Sequence, residues 1–263
     1  MTEARKLLLE KDGPLAWIVF NQPEKRNAVS QEMWELMADY VEDIAADDRV
    51  RVVILRGAGD RAFVAGADIS QFKDKRKNMA DEENYRRISA RGHDALAHLS
   101  KPLLAMINGF CIGGGVSIAI TCDLRIASDD SRFGVPAAKL GVGYRFMGIR
   151  RLSELVGPSF TAEIFYTGRQ FNAQEALQMG LVNRLLPVAE LEKYVLDYAA
   201  TLSANAPLTI AAVKRSLIEL RKDPNERDLA LCQKMVDDCF ASEDYKEGQK
   251  AFMEKRKPVF RGR

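Results

Sequence analysis

A chain of 263 residues suits one large α/β domain, or one domain with a smaller appendage, and its 47% hydrophobic and 29% charged residues supply ample material for a core. The 39 basic and 37 acidic residues leave a net charge of +2, so there is no overall electrostatic footprint for nucleic acid. No apolar run approaches the roughly 20 residues of a membrane helix, and the charged opening MTEARKLLLEKDG lacks the apolar stretch of a secretion signal and is too acidic for a transit peptide.

In chain order, residues 16–20 and 52–55 are rich in Val and Ile and predict strands. Between them, Asn21-Gln22-Pro23-Glu24-Lys25-Arg26-Asn27-Ala28-Val29-Ser30 joins strand to helix and sets Lys25 and Arg26 beside small residues. That pair is either a phosphate partner or a solvated loop. Ser30 is a good N-cap for a helix on which Trp34, Met37, Val41 and Ile44 recur at helical spacing. In Ala62-Phe63-Val64-Ala65-Gly66-Ala67-Asp68-Ile69, small residues let the backbone approach a ligand, and Asp68 is placed to cap the next turn. Residues 73–87 are dense in charge and read as a loop entering a helix, or as a solvated helix face. A helix is expected from about residue 82 to 99, carrying His93 and His98. Leu103–Ile107 and residues 124–127 are further strand candidates. Strands interleaved with helices predict an α/β arrangement.

The densest glycine cluster is Asn108-Gly109-Phe110-Cys111-Ile112-Gly113-Gly114-Gly115-Val116-Ser117, between a predicted strand and a buried helix over 116–120. Glycines there permit positive φ and close approach of a ligand. The N–H groups of a helix start are unpaired, which suits an oxyanion. No Gly-Lys-Ser/Thr follows, and Ile118 stands where GxGxxG needs its last glycine, so this is not a nucleotide loop. A tight packing turn without a ligand fits the cluster equally well. Beyond residue 145 strand signals fade. Helical windows follow at 152–156, 158–166, 173–179, 191–202, 208–220, 226–240 and 245–255, punctuated by Pro158, Pro187, Pro207, Pro224 and Pro258. The sequence thus predicts an α/β body followed by helices alone. Cys111, Cys122, Cys232 and Cys239 form no CxxC pattern and read as small buried hydrophobes in a reducing compartment, which makes the cytoplasm the expected location. No His/Cys/Asp cluster has metal-ligand spacing, so no metal is expected.

Three elements in order, N-P-x-K-x-N-A-V-S-like at 21–30, A-G-A-D-I at 65–69 and N-G-x-x-x-G-G-G at 108–115, resemble the enoyl-CoA hydratase/isomerase (crotonase) family. Cys122-Asp123-Leu124-Arg125-Ile126-Ala127, Phe165-Tyr166-Thr167-Gly168 and residues 176–182 and 251–257 resemble it too, so the likeness covers nearly the whole chain. The resemblance implies a crotonase-type spiral of ββα units over 1–200 and a helical C-terminal region over 201–263 that mediates homotrimers, or dimers of trimers. It implies coenzyme A as part of an acyl-CoA substrate, with no covalently bound cofactor. Carried over by position, the N–H groups of Ala67 and Gly114 would form an oxyanion hole. Ala28, Ala65, Asp68 and Ile69 would line the adenine and pantetheine path, with Lys25 or Arg26 near phosphate. Phe252 and Lys255 would reach coenzyme A, in several members from a neighbouring subunit.

The sequence departs from the family's hydratases at both catalytic glutamates. Ser117 stands two residues after the third glycine, where the first belongs, and Ala137 stands after the turn Phe133-Gly134-Val135-Pro136, where the second belongs. A well-placed acid or base is worth roughly 10²–10⁴-fold in rate, so hydration should be slow. Enolate stabilisation remains available. Residues 140–149, with Tyr144, together with 242–245 and 251–260, resemble the methylmalonyl-CoA decarboxylase branch, although that branch has a histidine at the position of Ala67 and keeps the first glutamate. Tyr144 is a candidate proton donor or a pocket wall, and Arg145 a candidate carboxylate ligand or a surface cation. Ser117 is expected to bond locally within its helix. Two competing classes remain. A Ser117–His–Asp hydrolase would need a nucleophile elbow, whose final glycine is missing. The other is a catalytically degenerate thioester-binding or assembly protein.

Overall fold

The computed structural model describes residues 5–68 and 79–263. The chain opens with an antiparallel hairpin, β1 (Leu7–Asp12) and β2 (Leu15–Phe20), turning at Gly13. Helix α1 (Gln31–Ala46) follows, and its predicted cap is in place: Ser30 Oγ accepts the N–H of Met33 at 3.3 Å.

The chain then repeats one unit. A long strand is followed by a short strand and a helix: β3 (Val52–Gly57), β4 (Ala62–Val64) and α2 (Met79–His98), then β5 (Leu103–Ile107), β6 (Phe110–Ile112) and α3 (Gly114–Ala119), then β7 (Leu124–Ser128), β8 (Arg132–Gly134) and α4 (Ala137–Leu140). The long strands join one sheet and the short strands another. Helix α5 (Phe146–Thr167), β9 (Phe171–Asn172), α6 (Ala173–Gln178) and β10 (Arg184–Leu186) come next. Four helices end the chain: α7 (Val188–Ala204), α8 (Pro207–Leu220), α9 (Leu229–Ala241) and α10 (Glu243–Met253). The larger sheet has the order β1-β2-β3-β5-β7-β10, parallel from β2 onward, and the smaller β4-β6-β8-β9. This is the expected spiral of ββα units.

Alternation along the long strands divides the core between the two faces of the larger sheet. Ile18, Phe20, Val53, Leu55, Leu103 and Ala105 face α1 and the smaller sheet. Trp17, Val19, Val52, Ile54, Leu104 and Ile126 face Leu191, Val195 and Ala199 of α7. Parallel strands covered on both sides read as the continuous Val/Ile/Leu runs seen in the sequence.

Three expectations need correction. The region beyond residue 145 is not helical alone: β9 and β10 add to the two sheets through Phe133↔Phe171 and Ile126↔Arg184. Strands of two or three residues carry no readable alternation. The windows 152–156 and 158–166 belong to one kinked element, α5, broken at Gly157 (φ +78°) immediately before Pro158. Cys111 and Cys122 are buried, but Cys232 and Cys239 are only half-buried, because α9 has no buried residue in this single chain.

The C-terminal helices are tied to the body by a charge. Lys214 of α8 is buried, and its Nζ donates to the Asp123 carboxylate and the Lys101 carbonyl, each at 2.7 Å. Asp123 also accepts the Leu103 N–H at 2.7 Å, so the carboxylate nearest Ser117 in sequence is committed to structure. No described helix is long and apolar enough to cross a membrane.

Candidate functional site

The loop after β2 is fastened by a buried asparagine. Asn27 donates from Nδ2 to the carbonyls of Ala58 and Ala62 at 3.0 and 2.7 Å, and accepts the Gln22 N–H at 3.0 Å. Its φ of +57° is one that asparagine tolerates better than most residues. The loop therefore lies along the turn after β4. Ala65 N–H donates to Arg26 O at 3.0 Å, and Val29 forms a parallel bridge with Ala67 through Val29 N–H to Gly66 O (2.8 Å) and Asp68 N–H to Val29 O (2.9 Å). Ala28, Ala65, Ala67 and Asp68 are thereby brought into one strip. Ile69 lies outside the described residues, as does much of the charged segment 73–87.

Both cations of the loop border this strip, each with a protein partner. Lys25 Nζ lies 2.9 Å from the Asp68 carboxylate, which is buried and also receives Gln22 Nε2 at 3.4 Å. The Arg26 guanidinium lies over the Phe110 ring, 4.9 Å from its centre.

The glycine cluster meets the same strip. At Gly113, φ +56° and ψ −108° turn the chain from β6 into α3, a backbone state open to glycine alone. At Gly115 a Cβ would collide with the Val64 carbonyl, so α3 rests directly on the end of β4. A Cβ at Gly114 would lie 3.5 Å from the Gly66 carbonyl carbon and 3.7 Å from Ala67 N. The two turns are thus side by side. The bridge to Val29 uses the N–H of Asp68, and the first bond into α3 runs from Ser117 N–H to Gly113 O at 3.1 Å. Neither the Ala67 nor the Gly114 N–H meets an acceptor among the described residues, and both residues are half-buried. Two adjacent backbone donors in a partly dry cleft can hold a developing oxyanion.

One turn further along α3 the chemistry changes. Ser117 does not bond within its helix; its Oγ lies 3.5 Å from His93 Nε2. The His93 ring packs on Trp34, with centres 4.4 Å apart. Burial, and after it the charges of Arg151 and Arg145, push the imidazole down to about 3, so it is neutral. Arg151 donates to Thr121 Oγ1 at 3.0 Å, and Thr121 donates to the Ser117 carbonyl at 2.9 Å. No described carboxylate holds His93, so the third member of a hydrolase triad is missing. The sequence singled out His93 and Ser117 but gave no sign of Arg151, which arrives from α5.

At the second glutamate position Ala137 is buried at the start of α4. Tyr144 is partly buried, edge-on to Phe165 at 4.8 Å. Burial, and then Tyr85, push its phenol up to about 12, so the hydroxyl keeps its proton. Phe252 is exposed and lines a cavity of about 760 Å³ among α8, α9 and α10, and Lys255 follows α10 at φ +51°. Within one chain both sit with the C-terminal helices rather than on the strip at 65–68. Among the described residues, no three His, Cys, Asp or Glu side chains gather to hold a metal ion.

A family model described as enoyl-CoA hydratase/isomerase matches residues 10–263. The chain belongs to the enoyl-CoA hydratase/isomerase family. Among other members, the short-chain-enoyl-CoA hydratase of Clostridium acetobutylicum is 36% identical over 255 residues, covering 97% of each chain. The crotonyl-CoA hydratase of Syntrophomonas wolfei is 34% identical over 254 residues, again covering 97% of both. The crystal structure of an enoyl-CoA hydratase/carnithine racemase from Magnetospirillum magneticum superposes with a TM-score of 0.92 at 34% identity, covering 99% of this chain and 97% of that one. The enoyl-CoA hydratase/isomerase fold thus extends over the whole chain, and the family is one of enzymes.

His93 gives a signed pH dependence. Its folded pKa lies below the ordinary 6.5, so the unfolded chain binds the extra proton. Its contribution to stability is therefore neutral above 6.5 and increasingly unfavourable as pH falls from 6.5 toward 3. Melting temperatures of wild type and His93→Gln, measured from pH 7.5 to 4.5, should fall less steeply in the variant. Parallel curves would show that His93 is protonated in the folded state.

Proposed function

We propose that the protein binds an acyl-CoA thioester along the strip at 65–68 and stabilises its enolate with the N–H groups of Ala67 and Gly114, without the carboxylate pair used for hydration. The observation that carries this reading is the side-by-side packing of the two turns, with both N–H groups unclaimed. The thioester carbonyl oxygen, as it gains charge, is the natural acceptor. Lys25, Arg26, Ala28, Ala65, Asp68 and Ile69 would follow the adenine, phosphates and pantetheine. Relatives named as hydratases and as carnitinyl-CoA dehydratase support a coenzyme A thioester as the ligand class. With Ser117 and Ala137 at the glutamate positions, the favoured reactions are those that need an enolate and little base.

A second reading, loss of CO₂ from a malonyl-type thioester, would use Tyr144, a half-buried phenol that keeps its proton beside Phe165, as the proton source. In that reaction the breaking C–C bond supplies the electron pair, CO₂ leaves, and the phenol proton goes to carbon.

Gly114→Pro removes one donor. It should cut turnover of any accepted thioester by about 10²-fold or more while calorimetry still detects coenzyme A; turnover at the wild-type level would remove Gly114 from the site. Crotonyl-CoA hydration should be slow in the wild type, about 10²-fold or more below a family member that carries both glutamates. Efficient hydration by the wild type would mean that another group does the acid–base work. A matched methylmalonyl-CoA assay decides the second reading: CO₂ release unchanged in Tyr144→Phe would exclude the tyrosine. Binding across a thioester panel with no turnover would instead identify a degenerate binding protein.

We also infer a homotrimer or dimer of trimers. Val213, Leu217, Phe240 and Phe252 expose large apolar surface around the cavity of α8–α10, more than an isolated helical region keeps in water, and Phe252 and Lys255 would then reach a neighbouring copy's coenzyme A. Light scattering should give at least three copies at micromolar concentration, and a monomer would refute this.

A further inference from the structure

Among the described residues, two guanidinium groups near His93, the ring beside Ser117, lack an ionic partner. Most other arginines near α5 are paired: Arg150 and Arg221 take one oxygen each of Glu154, at 3.2 and 3.3 Å. Arg215 is paired with Glu219 at 2.6 Å. Arg151 has only the Thr121 hydroxyl, and Arg145 only the Arg86 carbonyl at 2.9 Å, with no carboxylate within 4.0 Å among the described residues. Asp94, the other acid near Arg151, is exposed on α2. A guanidinium has five N–H donors, so most are unused here. Arg151 is partly buried, and its pKa is lowered by desolvation and then by the like charge of Arg221. A partly desolvated cation with spare donors gains by meeting an anion. Both charges reach His93, the ring that touches Ser117.

The position of this charge relative to the thioester follows from α3. At about 1.5 Å per residue, Ser117 lies about 4.5 Å along the axis from Gly114, and Thr121 about 10 Å. An acyl chain whose carbonyl meets the Gly114 N–H and which runs along α3 passes Ser117 and ends near Arg151.

We propose that the acyl group of this site carries a second carboxylate, distal to the thioester and kept through the reaction, and that Arg151 and Arg145 hold it. The inference rests on the thioester-site reading and names its substrate class: the mono-thioester of a short dicarboxylic acid. A malonyl-type carboxylate on the α carbon stops well short of Thr121, whereas two further methylenes bring the carboxylate within one guanidinium's length of the Thr121 hydroxyl that Arg151 holds. Cations that stabilise a carboxylate also oppose its loss as CO₂, so the group recognised here is one that stays.

Calorimetry with glutaryl-CoA and pentanoyl-CoA, of equal chain length, tests this. Charge-assisted hydrogen bonds of this kind correspond to about tenfold to a hundredfold in affinity, so wild type should prefer glutaryl-CoA by at least about tenfold. That ratio should shrink in Arg151→Gln and in Arg145→Gln, an exposed position whose replacement spares the core, and approach one in the double variant. Arg151→Lys, which keeps charge but loses the fork, should retain part of it. Equal wild-type affinities, or a ratio that survives the double substitution, would overturn the carboxylate site alone. Failure of both thioesters and of free coenzyme A to bind would overturn the thioester reading together with it.

Discussion

The site depends on one close approach of backbone to backbone. Gly115 lies under the Val64 carbonyl with no room for a Cβ, and this brings Gly114 against the turn Gly66–Ala67. The approach is fixed by the smaller sheet, where β4 and β6 pair in parallel from Ala62↔Phe110 to Val64↔Cys111. Because main-chain pairing sets the distance, the two N–H groups do not rely on any particular side chain for their placement. Side chains facing the cleft from α3 and α4 are therefore free to change. Ser117 and Ala137, which the family resemblance sets at carboxylate positions, leave the pair of donors in place, and such a separation lets one scaffold carry several reactions.

A second set of bonds keeps the rim in register with that pair. Asn27 spans from Gln22 to Ala58 and Ala62, joining the loop after β2 to the strand pair β3–β4. The Val29–Ala67 bridge then orients Ala67 from the opposite side. The Lys25–Asp68 contact is of a different kind. Lys25 is substantially exposed while Asp68 is buried, so solvent screens the pair at the lysine end, and the acid keeps a compensating cation at the cost of ordering a long side chain. An anionic ligand arriving along the strip would meet a lysine already held in place by its neighbour, not one fully committed to it.

What the sequence disclosed follows from how local each feature is. Helix α1 was legible because its cap, Ser30, and its apolar stripe are contiguous. The strands β2, β3 and β5 were legible because strands buried on both faces are nearly unbroken apolar runs, and β7 was legible despite its buried Arg125. Strands β4, β6 and β8 have three residues each, too few for a period; they showed only as small-residue and glycine segments, whose packing-turn reading could not be separated from a ligand-binding one. Ala67 and Gly114 entered through family resemblance, and their adjacency needed the sheet. The Ser117–His93 contact joins two helices, and the reach of Arg151 to Thr121 joins α5 to the end of α3. No spacing within the sequence encodes either. The sequence also misread Ser117 as locally bonded: a hydroxyl in a helix bonds to its own turn unless a better-placed partner is offered from outside, and here the α2 imidazole is offered.

The charges around Ser117 bear on what a carboxylate would do there. A glutamate at 117 would face a ring that is neutral because it is buried and flanked by Arg151 and Arg145. The same two cations would lower the carboxylate's pKa and draw its side chain into an ion pair, weakening it as a base for water. A hydroxyl carries no such liability: it can donate to, or accept from, a neutral imidazole and leaves both guanidinium groups unoccupied. Serine at 117 and arginines at 145 and 151 with no ionic partner among the described residues are therefore mutually consistent. In the proposed reading the negative charge arrives with the ligand: at one end as an oxyanion forming at Ala67 and Gly114, and at the other as a group that the ligand already carries.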